Sequence, residues 1–112
     1  MFGIRGKLVK GLERLGETER RLESGVFFHP VNTVRDHIHF GQLVRTVRNY
    51  YQLTISTVDE RDWTAMPLVQ SEIAGFGAQL DIEAKQAKPE VREHFKALSQ
   101  EVEVLQGLAS RV

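Results

Sequence analysis

Apolar residues along this chain recur at steps of three and four, the period of an α-helix rather than the alternation of a half-buried strand. The last stretch is the clearest. Val91, Phe95, Leu98, Val102, Leu105, Ala109 and Val112 run through three heptads without a break, which places one continuous stripe on a helix over about 90–111. The stretch before it carries Val69, Ile73, Phe76 and Leu80, continuing to Ala84 or Ala87, and predicts a helix over about 64–87. Between them, Ala87-Lys88-Pro89-Glu90 reads as a turn, because a residue before proline resists the α conformation. So short a connection makes these two helices an antiparallel hairpin. Gly75 and Gly77, on either side of Phe76, would permit a neighbouring backbone to approach closely.

A helix over about 32–55 begins after Pro30, with Asn32 or Thr33 as its N-cap. Its seam is Thr33, His37, Phe40, Val44, Val47, Tyr51, Thr54 and Val58. Ile38, Leu43 and Tyr50 lie off that seam, so this helix is either central or meets another chain with its second face. The pattern leaves residues 50–58 open between helix and strand, since they are rich in aromatic and β-branched side chains. A lone strand without a pairing partner is the poorer reading. Asp59 to Trp63 then reads as the acidic start of the third helix, with Pro67 tolerated in its first turn.

The first helix, over about 7–24, shows Leu8, Leu12, Leu15 and Leu22 on one stripe interrupted by Glu19. Glycines 3, 6, 11 and 16 weaken it, an interior glycine costing about 1 kcal/mol relative to alanine. Tertiary contacts are required to hold it, and Ser24-Gly25 ends it. The connection that follows, Val26-Phe27-Phe28-His29-Pro30-Val31, is too apolar for an ordinary surface loop. It either folds beneath the bundle or inserts into a partner. The whole chain reads as a single all-α domain over 1–112, a four-helix bundle or a pair of helical hairpins.

Composition narrows the function. The 112 residues are 41% hydrophobic and 27% charged, with no cysteine. Disulfides, thiolate metal sites and cysteine nucleophiles are therefore excluded, and a reducing intracellular compartment, cytoplasmic or mitochondrial, suits the chain. No apolar run is long enough to span a bilayer. The formal net charge is zero, which argues against a dedicated nucleic-acid binder. The charge is uneven, however. Residues 1–56 hold nine Lys/Arg against five Asp/Glu, and residues 57–112 hold six against ten, so the halves either attract one another or offer different faces to neighbours. Phe2, Ile4, Leu8 and Val9 with Arg5, Lys7 and Lys10 form a short basic amphipath. Such a segment suits a mitochondrial-type leader or peripheral membrane contact, but acids follow at once at Glu13 and Glu17.

The chemistry-bearing residues form no recognisable catalytic motif. His29, His37 and His39 lie close in sequence, yet His37 and His39 are two apart and point to opposite sides of a helix. The chain has no Glu-x-x-His, the pair that di-iron bundles use. No serine sits in a Gly-x-Ser-x-Gly elbow, and no phosphate-binding glycine loop occurs. Arg35, Arg45 and Arg48 beside Tyr50 and Tyr51 offer a basic contact, with pairing to acids of the same chain as the plainer reading. The expectation is a non-catalytic helical subunit or adaptor, without cofactor, making protein contacts within a larger assembly, one attached to a membrane included. Its partner-facing residues would be Val26, Phe27, Phe28, Ile38, Leu43 and Tyr50, and the last helix is a further route to self-association. The alternative is a stand-alone bundle binding a small ligand or metal through His29, His37 and His39.

Overall fold

The structure is a computed structural model and describes residues 2–23 and 34–112, the side chains of residues 2 and 34 apart. Among these residues the chain forms four helices: α1 (Phe2–Glu23), α2 (Val34–Asp59), α3 (Met66–Gln86) and α4 (Pro89–Ser110). They run antiparallel in succession, with α3 on α4 and α1 on α2 as the two most extensive pairings. The hairpins then meet along α1/α4 and α2/α3, and α2 and α4 each touch all three other helices. The result is a long bundle of 46 × 26 × 18 Å.

The seams read from the sequence are the seams of the core. Val91, Phe95, Leu98, Val102, Leu105 and Ala109 of α4 are all buried, as are Val69, Ile73, Leu80 and Ala84 of α3. On α2 the buried set is Phe40, Val44, Val47, Tyr51 and Thr54. Phe40 packs edge-on against Phe95, ring centroids 5.3 Å apart, and carries the contact between α2 and α4. Gln70 of α3 donates its amide to the Ala109 carbonyl at 2.8 Å, satisfying one of the carbonyls that the end of α4 leaves without a helical donor.

Three expectations need correction. The first helix starts at Phe2, not near residue 7. Leu8 is fully buried, and Ile4 packs against the core; this burial outweighs the backbone cost of Gly3 and Gly6. The second helix runs on to Asp59, so residues 50–58 are helical. Thr54 and Thr57 turn their hydroxyls back to the carbonyls of Tyr50 and Leu53, both at 2.7 Å. A β-branched residue that bonds its own preceding turn in this way buries its polar atom without leaving the helix. Asp59 thus closes α2 rather than opening α3, and the turn between them places Arg61 at φ 54°. Asp62 lies in the turn before α3, its carboxylate accepting the Ala65 N–H at 3.1 Å, and the helix itself begins at Met66.

The third correction concerns the glycines. A Cβ at Gly75 would meet nothing, and one at Gly77 would approach the side chains of Gln106 and Val102, not a backbone. The close approach is at Gly11. A Cβ there would stand 2.7 Å from the Tyr51 hydroxyl oxygen and nearer still to the ring carbons. Only a glycine lets α1 lie against the ring of a fully buried tyrosine.

Candidate functional site

Three regions carry more than packing. The first is a polar cluster where α1, α2 and α4 meet. Arg14 grips the Glu101 carboxylate with two nitrogens, Nη2 to Oε1 at 2.6 Å and Nε to Oε2 at 2.9 Å. The hydroxyl of Tyr51 donates to Glu101 Oε1 at 2.7 Å. Burial, and then the adjoining carboxylate, push the Tyr51 phenol well above its ordinary range, so it stays protonated and acts as a donor. The bond to Glu101 raises the Arg14 guanidinium further still. A tyrosine and an arginine so held have no proton to exchange near neutrality. The cluster therefore ties three helices in register and offers no acid–base pair.

The second region is the histidines. His37 lies with Glu19 and Leu22 at the α1/α2 side. His39 lies on the other side of α2, its Nε2 3.0 Å from Glu83 Oε1 of α3. Nearby, Lys88 donates to Asp36 at 3.1 Å. His37 and His39 are thus not brought together, and among the described residues no group of three His, Asp or Glu side chains is placed to hold a metal ion. His29 lies outside the described residues. His94 stacks edge-on against Phe40 at 6.0 Å, and burial, then the charge of Arg21, lower its pKa.

The third region is the outer surface of α2 and α3. From Asn49 to Val58 α2 has no charged residue, and from Met66 to Leu80 α3 has only Glu72. Leu68, Gly75 and Ile82 are seven residues apart, two helical turns each, and so line up on one outward face of α3. Leu68 is 65% exposed, Ile82 54% and Leu53 of α2 42%. Trp63, in the turn before α3, is 52% exposed. Charged side chains are the usual occupants of a solvated helix face; here Glu72 is the one charge from Met66 to Leu80, while Asp81, Glu83 and Lys85 flank Ile82. The sequence did carry part of this signal, in the scarcity of charge over 49–58 and 66–80, but a search for core stripes passes over it.

Of the residues proposed from sequence to face a partner, Ile38 is 54% exposed. Leu43 and Tyr50 pack against the chain's own core, Tyr50 with its ring centroid 5.6 Å from that of Phe76. The second face of α2 is thereby largely taken by α3. Val26, Phe27 and Phe28 lie outside the described residues. Among the arginines, Arg48 pairs with Glu19 of α1 at 3.2 Å, while Arg35 and Arg45 are exposed. The α4 stripe is buried inside the bundle, so self-association through it would require the bundle to open. Ile4 and Leu8 of the N-terminal amphipath likewise face inward, which removes most of its membrane-facing surface. No helix among the described residues is long and apolar enough to cross a membrane.

No family model, no curated protein and no solved structure matches the chain.

Proposed function

We propose that this chain is a non-catalytic helical subunit or adaptor that makes protein–protein contacts within a larger assembly. The observation that carries the reading is the outward exposure of large apolar side chains on α2 and α3: Leu53 in the charge-free stretch Asn49–Val58, and Leu68 and Ile82 on one line of α3. Large apolar side chains held in solvent are the kind of surface that a partner covers. The polar cluster supports the same reading. Its groups fix the helices rigidly, and a preformed helical face binds at lower entropic cost than a mobile one. The intracellular setting, and attachment to a membrane complex, belong to this proposal and rest on the absence of cysteine and the basic first turns.

Replacing Leu68 and Ile82 with lysine tests it. Both side chains are exposed, so the helical content and unfolding midpoint of the isolated chain are expected to stay the same. Association with native partners, followed by the chain's size in lysate, is expected to be lost. Retained association in the double variant would refute the assignment of this face.

A further inference from the structure

On the opposite side of the molecule, α1 and α4 meet along an open groove. Its lower stretch has a volume of about 560 Å³ and lies between Lys7, Lys10 and Arg14 on one wall and Ala97, Val104 and Leu108 on the other. Its upper stretch, about 270 Å³, continues past Arg14 to Thr18 and Arg21. Arg14, Ala97 and Glu101 line both stretches, and the Arg14–Glu101 ion pair crosses from α1 to α4 where they meet. The α1 wall is cationic because Lys7, Lys10, Arg14 and Arg21 recur at steps of three, four and seven, on one side of the helix. The α4 wall, Glu101 apart, is uncharged in the lower stretch, with Val104 45% exposed beside a buried Leu108.

Glu101 is the one acid lining either stretch among the described residues, and it is already engaged by Arg14 and Tyr51. Lys7 and Lys10 are exposed and form no ion pair among the described residues. The groove therefore presents positive charge on one flank and an apolar strip on the other, without internal neutralisation of the two lysines.

We infer that this groove is a docking site for an acidic amphipathic helix of a partner protein. A straight channel between two helices accepts a third helix by its apolar edge, with anchors at i, i+3, i+4 and i+7. The distance from Lys7 to Arg21 along α1 is about 21 Å, the length of about 14 helical residues. Carboxylates on one flank of the guest would meet the lysines, and its leucine-type side chains would cover Val104 and Leu108. A bilayer fits less well, because the exposed apolar surface beside the lysines is Val104 and Ala97, a smaller face than an interfacial helix buries. A nucleic-acid backbone would use the cations but leave the strip uncovered, and the buried Phe40 offers no face on which a base could stack. The inference shares the protein-contact reading above but concerns the other side of the bundle, so either surface can fail alone.

The test uses the full chain and a fluorescein-labelled synthetic helix of about 15 residues, with a leucine stripe flanked by glutamates. Its counterpart carries lysine at each glutamate. Saturable binding of the acidic helix is expected, weakening as salt rises, with little binding of the lysine form. Lys7→Glu/Lys10→Glu and, separately, Val104→Glu are each expected to weaken it by about tenfold or more, with unchanged circular dichroism. Leu68→Lys/Ile82→Lys is expected to leave it unaltered, which separates this site from the α2/α3 face. Failure of the acidic helix to bind, or equal binding of the lysine form, would overturn the assignment. So would binding of phosphatidylserine vesicles or a DNA duplex that is abolished by the lysine replacements but indifferent to Val104→Glu, an outcome that gives the groove to a lipid or phosphate surface.

Discussion

The two seams where the hairpins meet are built differently. Along α1/α4 the helices are joined by a charged clamp, Arg14–Glu101–Tyr51, beneath an open groove. Along α2/α3 they are joined mainly by neutral packing, Tyr50 on Phe76 and Leu43 against the core, with His39–Glu83 at one end. The charge along the helices follows the same division: α1 is dense in ions, while 49–58 of α2 has none and 66–80 of α3 has Glu72 alone. Charge is thus concentrated where the chain holds itself together and depleted where it offers apolar side chains outward. A bundle optimised only for solubility would have distributed charge on both sides.

The clamp should be the costlier seam to break. Glu101→Ala removes the short bond of the buried Tyr51 hydroxyl and leaves it the longer one to the backbone carbonyl of residue 101 at 3.3 Å, whereas Arg14, 49% exposed at its side chain, is rehydrated. The expected loss is about 2–3 kcal/mol by urea unfolding. Glu101→Gln keeps an oxygen for Tyr51 and should lose less. Gly11→Ala probes the same place from α1, forcing a methyl group against the Tyr51 ring, and should cost about 1–3 kcal/mol. On the other seam, Phe76→Ala removes a half-buried ring and one aromatic contact, with an expected loss of about 1–2 kcal/mol. If Phe76→Ala proved costlier than Glu101→Ala, the contrast between a clamped and a packed seam would be wrong.

The smallest effect belongs to His94. Its folded-state pKa lies below the ordinary 6.5 because burial and then Arg21 disfavour the cation. Between the two values the unfolded chain binds more protons than the folded one, so stability rises with pH through that window. It should therefore be complete above about pH 6.5 and decline on acidification towards the folded pKa. His94→Gln should flatten that part of the pH profile, as measured by thermal unfolding midpoints.

Much of this was legible in the residues. The α4 stripe from Val91 to Ala109 and the α2 seam from Phe40 to Thr54 could be read because each buried side chain repeats at helical spacing. The ends of helices were harder. Intrinsic cost at Gly3 and Gly6 argued for a late start to α1, but Leu8 is fully buried and holds the first turns in place. Thr54 and Thr57 resembled strand residues until their hydroxyls found carbonyls one turn back. The clamp was not legible at all, since Arg14 and Glu101 are 87 residues apart and neither sits in a motif. The outward face of α3 was hidden for another reason: Leu68 and Ile82 are isolated in sequence, and only the fold shows that they and Gly75 share a line. Of the residues first assigned to partners, Tyr50 turned out to meet Phe76 of α3 and Leu43 to pack against the core, so the surplus apolar surface of α2 is partly an internal one.

The most direct test of a contact role is the native size of the chain in a clarified lysate of its source, by gel filtration, for wild type and Leu68→Lys/Ile82→Lys. The wild type is expected well above the 12.8 kDa of the single chain, and the double variant at that mass with its fold intact. Elution of both as monomers, or of both in the same large assembly, would contradict the claim that the charge-poor face of α2 and α3 is where this protein meets its partners.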